Sequence, residues 1–162
     1  MTIERFILLA AAIISAASVL YIPKGHIRKA LLTFLTFQAT TWFVSIALVQ
    51  IDLIEFPVRE FSKATGVVFI PQFFTYPIFF TWFYFRLSYK SSRLYKTLHW
   101  LISISIPVFF AYFIAVYSDL SQFTKGSHLT NLIYLYVEFG LQYFVCFQYT
   151  NWFYSQKKGR VN

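Results

Sequence analysis

Five apolar stretches, at about 6–22, 30–51, 66–85, 98–117 and 129–153, alternate along the chain with short polar gaps. Each is close to the roughly 20 residues that an α-helix needs to cross the hydrocarbon of a bilayer. The pattern predicts an all-α fold, a single polytopic transmembrane domain over residues 1–162 with about five spanning helices. Basic residues then orient it. The first gap carries Lys24, Arg28 and Lys29, the third Arg86, Lys90, Arg93 and Lys96, and the C-terminal tail Lys157, Lys158 and Arg160, so ten of the 14 Lys and Arg fall on one side. The other side has Arg5, Arg59, Lys63 and Lys125 among Glu4, Asp52, Glu55, Glu60 and Asp119. Cytoplasmic loops of membrane proteins are enriched in Lys and Arg, which places the basic side inside. With an odd number of spans, the N-terminus is expected outside and the C-terminus in the cytoplasm. The expected location is the cell membrane, as a multi-pass protein.

Composition supports this picture. The chain is 58% hydrophobic and 12% charged, against about a quarter charged in ordinary soluble domains. A function must therefore reside among the helices, on their faces or in the gaps. The net charge of +8 is spread over short juxtamembrane clusters rather than one folded basic face. Anionic lipid head groups are the expected partner and nucleic acid is not. A membrane protein partner or a second copy of the chain is left open. Cys146 is the single cysteine, which precludes an intramolecular disulfide or a thiolate metal cluster. Ser15-Ala16-Ala17-Ser18 supplies small residues of the kind found at signal-peptide cleavage sites. Positive charge follows this first stretch instead of preceding it, so an uncleaved span is favoured.

Aromatic residues make up 23% of the chain. Tyr21, Tyr84, Tyr89, Tyr95, Trp100, Tyr117 and Trp152 fall near the expected span ends, at the depth that suits an amphipathic ring. Phe fills the middle of the third and fourth spans. Only the first span, with Ala10, Ala11, Ala12, Ser15, Ala16 and Ala17, has a small-residue face for close packing, inside the molecule or between copies.

Glu138 is the one ionisable side chain well inside a span, which makes it the leading candidate for function. It lies about 13 Å from the outer end of its helix at 1.5 Å per residue, near the bilayer midplane. Gln142 lies one turn on and Asn131 two turns back, and Tyr134 and Tyr149 fall on the same face, with Cys146 at its edge. Similar depths place Gln38 and Thr41 of the second span, with Ser45 a turn further, and Gln72, Thr75 and Tyr76 of the third near the same level, with Ser105 of the fourth about one turn away. These residues compose a candidate intramembrane ligand site. The bland alternative is interhelical hydrogen bonding, with Ser and Thr bonding their own backbone. Pro71, Pro77 and Pro107 are expected to kink or unwind their helices and free carbonyls.

The outer gap 51–64 has Asp52, Glu55, Arg59 and Lys63 at three-four-four spacing among Leu53, Ile54, Phe56, Val58 and Phe61. It reads as a short amphipathic element lying in the interface and broken near Pro57. Glu55 and Arg59 are spaced for an i,i+4 pair, or Arg59 faces a membrane carboxylate or an anionic ligand. His26, His99 and His128 lie in three gaps on both sides and cannot form one metal site. Catalytic and nucleotide-binding motifs are missing. No cofactor, metal or catalytic residue is expected.

Phe37-Gln38-Ala39-Thr40-Thr41-Trp42, then Phe56-Pro57-Val58-Arg59-Glu60-Phe61 and the proline-interrupted third span, resemble a family of small uncharacterised five-span membrane proteins of spore-forming Gram-positive bacteria. The resemblance covers most of the chain and implies a location but no mechanism. In size and topology the chain is also similar to the tryptophan-rich sensory proteins that bind tetrapyrroles and sterols, without their Trp-Tyr and Trp-x-Pro-Pro segments. The expected function is that of a non-enzymatic ligand-binding or transport-related membrane protein. The alternative is a structural or accessory subunit of a larger membrane complex.

Overall fold

The computed structural model describes residues 3–61, 63, 66–87 and 92–158. Ala64, Tyr89, Lys90, Gly159 and Arg160, together with the side chains of Lys157 and Lys158, lie outside the described residues. Helices α1 (Ile3–Leu20), α2 (Ile27–Gln50), α3 (Tyr76–Arg86), α4 (Arg93–Tyr117) and α5 (His128–Lys158) follow the five apolar stretches, and the fold is all-α apart from one pair of two-residue strands. A 3-10 turn at Lys24–His26 joins α1 to α2. Three helical segments, Ile3–Leu20, Lys24–Gln50 and Arg93–Tyr117, are long and apolar enough to cross a membrane. The third stretch is interrupted. α5 is longer, with 31 residues, but Asn131, Glu138, Gln142, Gln148 and Asn151 dilute its apolar character. Large apolar side chains such as Phe6, Ile14, Phe43, Ile102, Phe109 and Leu141 face outward, an arrangement suited to lipid.

Prolines explain the interruption. Helical winding starts at Phe69, widens to a π-helix over Pro71–Thr75 and tightens into α3. The Tyr76 N–H donates to the Pro71 carbonyl five residues back. Pro77 has no N–H for the carbonyl four residues before it, that of Phe73. Gln38 Nε2 of α2 donates to that carbonyl at 3.1 Å. Pro107, by contrast, sits inside an α4 whose helical winding continues through it.

The start of this third helical run is capped from outside it. The Glu60 carboxylate accepts the N–H groups of Phe69 at 2.8 Å and Ile70 at 2.9 Å, supplying acceptors to two of the amides a helix start leaves free. α1 lays Leu8, Ala11 and Ser15 against the bundle, and Ser15 Oγ donates to Thr75 Oγ1 at 3.3 Å. The small-residue face therefore packs inside the molecule, against the π segment, while Ala16 and Ala17 stay exposed.

The connection at 51–64 corrects the expected amphipathic element. No helix forms among its described residues. Ile54–Glu55 is strand β1, paired antiparallel with β2 (Gln122–Phe123) in the register Ile54 to Phe123 and Glu55 to Gln122. Asp52 turns the chain with φ 53°, and Thr124 N and Val58 N donate to Leu53 O at 3.2 Å and Asp119 O at 3.0 Å. Glu55 thus sits opposite Gln122 on a strand, and the helical spacing to Arg59 has no meaning. Pairing wins because the two connections bring open backbone donors and acceptors side by side, and each needs a partner.

Two apolar clusters fill the interior. One lies under the strand pair and contains Leu8, Leu48, Ile54, Phe56, Val67, Val68, Ile114 and Leu120. The other occupies the opposite half, with Phe37, Tyr76, Phe80, Phe83, Tyr143 and Cys146 at its centre.

Candidate functional site

Glu138 lies where these two clusters meet. Its Oε1 accepts from Gln142 Nε2 at 3.0 Å, one turn along α5. Gln142 Oε1 in turn accepts from Thr41 Oγ1 of α2 at 3.0 Å. Thr41 and Gln142 are buried at 1% and 3% exposure, so this relay joins α2 to α5 inside the bundle. Gln142 Nε2 is the one described donor to the carboxylate.

Beside Glu138 is a cavity of about 30 Å³, bordered by Ser45, Gln72, Tyr76, Phe139, Ile114 and Ser121 among others. A space of about 10 to 15 Å³ holds one water, so one or two would fit. Its far wall is the strand region: Ile54, Phe56, Leu120 and Phe123 all border it. The connections that carry β1 and β2 therefore cover this side of the cavity as a lid.

The opposite side is sealed by rings. Phe37 stacks on Phe80 with centroids 4.9 Å apart, and Tyr143 meets both edge-on at 5.3 and 5.2 Å. Phe83 packs against Tyr143 at 5.1 Å. Tyr143 is five residues beyond Glu138, about 7.5 Å along the helix. Offset and edge-to-face rings at these spacings attract one another beyond their burial alone. The cavity is therefore bounded by the strand connections on one side and by packed aromatic rings on the other.

The expected polar layer forms only in part. Thr41, Gln72, Tyr76, Glu138 and Gln142 converge on the relay or the cavity, together with Ser45. Gln38 does not join them; it is spent on the Phe73 carbonyl. Thr75 turns to Ser15 and to the Ile70 carbonyl, and Ser105 bonds Leu101 O and Tyr136 Oη. Depth along a helix was the same for all of them, but rotation about its axis was not. Arg59 is half-buried and outside the cavity wall, its Nε without a hydrogen-bond partner among the described residues. Cys146 is buried against Thr40 Oγ1 at 3.3 Å, and Tyr149 is exposed.

Sequence reasoning missed the lid. Alternation of Ile54 and Phe56 about Glu55, and of Phe123 between Gln122 and Thr124, was the available signal. It also missed Glu60, whose value depends on a helix start nine residues later. Among the described residues, no group of three or more His, Cys, Asp or Glu is placed to hold a metal ion. Compared with protein-family models, curated proteins and solved structures, the chain matches none.

Proposed function

We propose that the chain is a five-span protein of the cell membrane whose Glu138 binds a proton or a monovalent cation entering from the lid side. In this reading the strand pair faces outward, the basic clusters and the C-terminus face the cytoplasm, and the resemblance to membrane proteins of spore formers fits the location. The observation that carries it is the carboxylate with one described protein donor beside a small, mostly apolar cavity that Ser45, Gln72 and Tyr76 also border. An ionisable group at this depth is costly to keep without a use.

Size and charge narrow the ligand. Pockets for organic ligands measure about 300 to 1,000 Å³, an order of magnitude above the 30 Å³ found here. A single carboxylate balances one positive charge. A divalent ion would keep a net charge in a low-dielectric interior, which is expensive. Neutral oxygens of Ser45, Gln72 and Tyr76 are at hand to complete a shell. The function is non-enzymatic, a binding step related to transport.

A second reading, a structural or accessory subunit of a membrane complex, draws on the relay from Thr41 through Gln142 to Glu138, which also serves as interhelical glue. The test is thermal unfolding in detergent of wild type, Glu138→Gln and Glu138→Leu, titrated with NaCl or KCl against choline chloride at fixed ionic strength and repeated across pH. Binding at 100 times Kd stabilises the folded state by about 2.7 kcal/mol. The proposal expects a saturable salt or pH response in wild type that Glu138→Gln lacks while remaining folded. Identical responses of wild type and Gln, with Leu alone destabilised, would establish the structural reading instead.

A further inference from the structure

A second recess lies at the basic end of the bundle, between the last turns of α1, the end of α3 and the start of α4. It is an open furrow of about 880 Å³. Its deeper walls are apolar, from Ile14 and Ala17 of α1, Phe79 of α3, and Ile102 and Ile106 of α4. Its mouth is polar and basic, with Tyr21, Arg86, Tyr95 and His99. From Arg86 back to Phe79 is about 10 Å along α3, and from Tyr95 to Ile106 about 16 Å along α4. The furrow therefore runs from head-group level into the hydrocarbon.

We propose that this furrow holds one anionic phospholipid, an acyl chain on the apolar wall and the phosphate at Arg86. The inference rests on the membrane-spanning part of the proposed function but not on cation binding at Glu138. Charge complementarity is the first argument. Arg86 is exposed, its guanidinium lies 5.6 Å from the Trp82 ring centroid, and among the described residues no carboxylate pairs with it. Contact with the ring face holds the guanidinium near the furrow mouth and leaves N–H groups for a phosphate.

The mouth is also preorganised. His99 is stacked against Phe83 at 5.3 Å and Tyr95 at 5.9 Å, nearly parallel to both. Its Nε2 is within hydrogen-bond distance of the Phe83 carbonyl, 3.1 Å, which fixes the ring and directs Nδ1 elsewhere. A zwitterionic lipid carries a cationic group that gains nothing from Arg86. The furrow should thus discriminate by head-group charge as well as by chain.

Native mass spectrometry of the detergent-purified protein, titrated with phosphatidylglycerol or phosphatidylcholine of identical chains, tests this. Wild type should retain one phosphatidylglycerol in preference to phosphatidylcholine. Arg86→Gln should weaken phosphatidylglycerol about fivefold, the effect of one basic residue at a membrane surface, and phosphatidylcholine by less, because its choline ammonium already offsets the phosphate charge. Ile106→Trp, which fills the deeper wall, should weaken both lipids. Lys125→Gln, a basic residue at the lid end, should change neither. Equal binding of the two lipids by wild type, or an Arg86→Gln variant that still prefers phosphatidylglycerol as wild type does, would overturn the proposal. So would full competition by millimolar glycerol phosphate, which would make this a site for a soluble phosphate. None of these readouts depends on Glu138, so either proposal can fail alone.

Discussion

Replacing Gln38 by Leu should destabilise the protein only because Pro77 is present. The Phe73 carbonyl has lost its α-helical donor to Pro77, and Gln38 Nε2 at 3.1 Å takes that place. Leu has nearly the same volume, so little packing changes, but a half-buried carbonyl is left without its donor. In soluble proteins such a group costs about 1 to 3 kcal/mol. Hydrogen bonds between membrane helices average nearer 0.6 kcal/mol, because the unfolded chain in the bilayer also finds partners. A loss of about 1 kcal/mol is therefore expected for Gln38→Leu. In a Pro77→Ala background the new N–H can serve the carbonyl directly, and the same substitution should cost close to nothing. Unfolding in detergent micelles, by heat or by graded SDS, measures the four corners of this double-mutant cycle. Equal losses in both backgrounds would refute the reasoning and leave Gln38 as ordinary packing.

Three further outcomes follow from the geometry. Glu60→Ala should cost about 1 kcal/mol by removing the acceptor for two helix-start amides, with Glu60→Gln costing less, both read from the same unfolding curves. Phe80→Ala, at a fully buried ring between Phe37 and Tyr143, should cost about 3 to 5 kcal/mol and drop the unfolding temperature sharply. Cys146, fully buried, should resist N-ethylmaleimide in the folded protein and react once SDS unfolds it, with mass spectrometry counting the adduct.

Helix positions were legible because a run of some twenty apolar residues states its length directly, and every one of the five stretches became helical within a few residues of its ends. The disturbance of the third was also legible, since Pro71 and Pro77 remove donors at known positions. What could not be read was rotation. Gln38 and Thr41 are three residues apart at similar depth, yet one turns to the Phe73 carbonyl and the other to Gln142. That choice depends on which neighbouring helix has an unsatisfied group, a property of packing. Glu138 and Gln142 could be placed on one helical face because an i,i+4 relation is internal to one helix, although the hydrogen-bond partner of Glu138 was expected from α2 or the third span and is Gln142 itself. The lid failed for the opposite reason. Its strands are two residues each and separated by more than sixty positions in the chain, too short for alternation to outweigh the three-four spacing of Asp52, Glu55 and Arg59.

The two sides of Glu138 differ in how hard they would be to open. Toward the basic end, passage requires parting Phe37, Phe80, Phe83 and Tyr143, four rings that are all nearly or fully buried. Separating them would expose apolar surface and forfeit several ring contacts at once. Toward the other end stand the β1 and β2 pair and the side chains of Ile54, Phe56, Leu120 and Phe123. Ile54, Phe56 and Leu120 are buried there too, but the strands are two residues each, so a shorter stretch of regular pairing has to open on this side. A small cation bound at Glu138 in the proposed way would exchange through the lid far more readily than through the aromatic half. Under that proposal, binding from the lid side is the resting behaviour. Movement to the other side would demand a second conformation, in which the rings part and the lid stays shut.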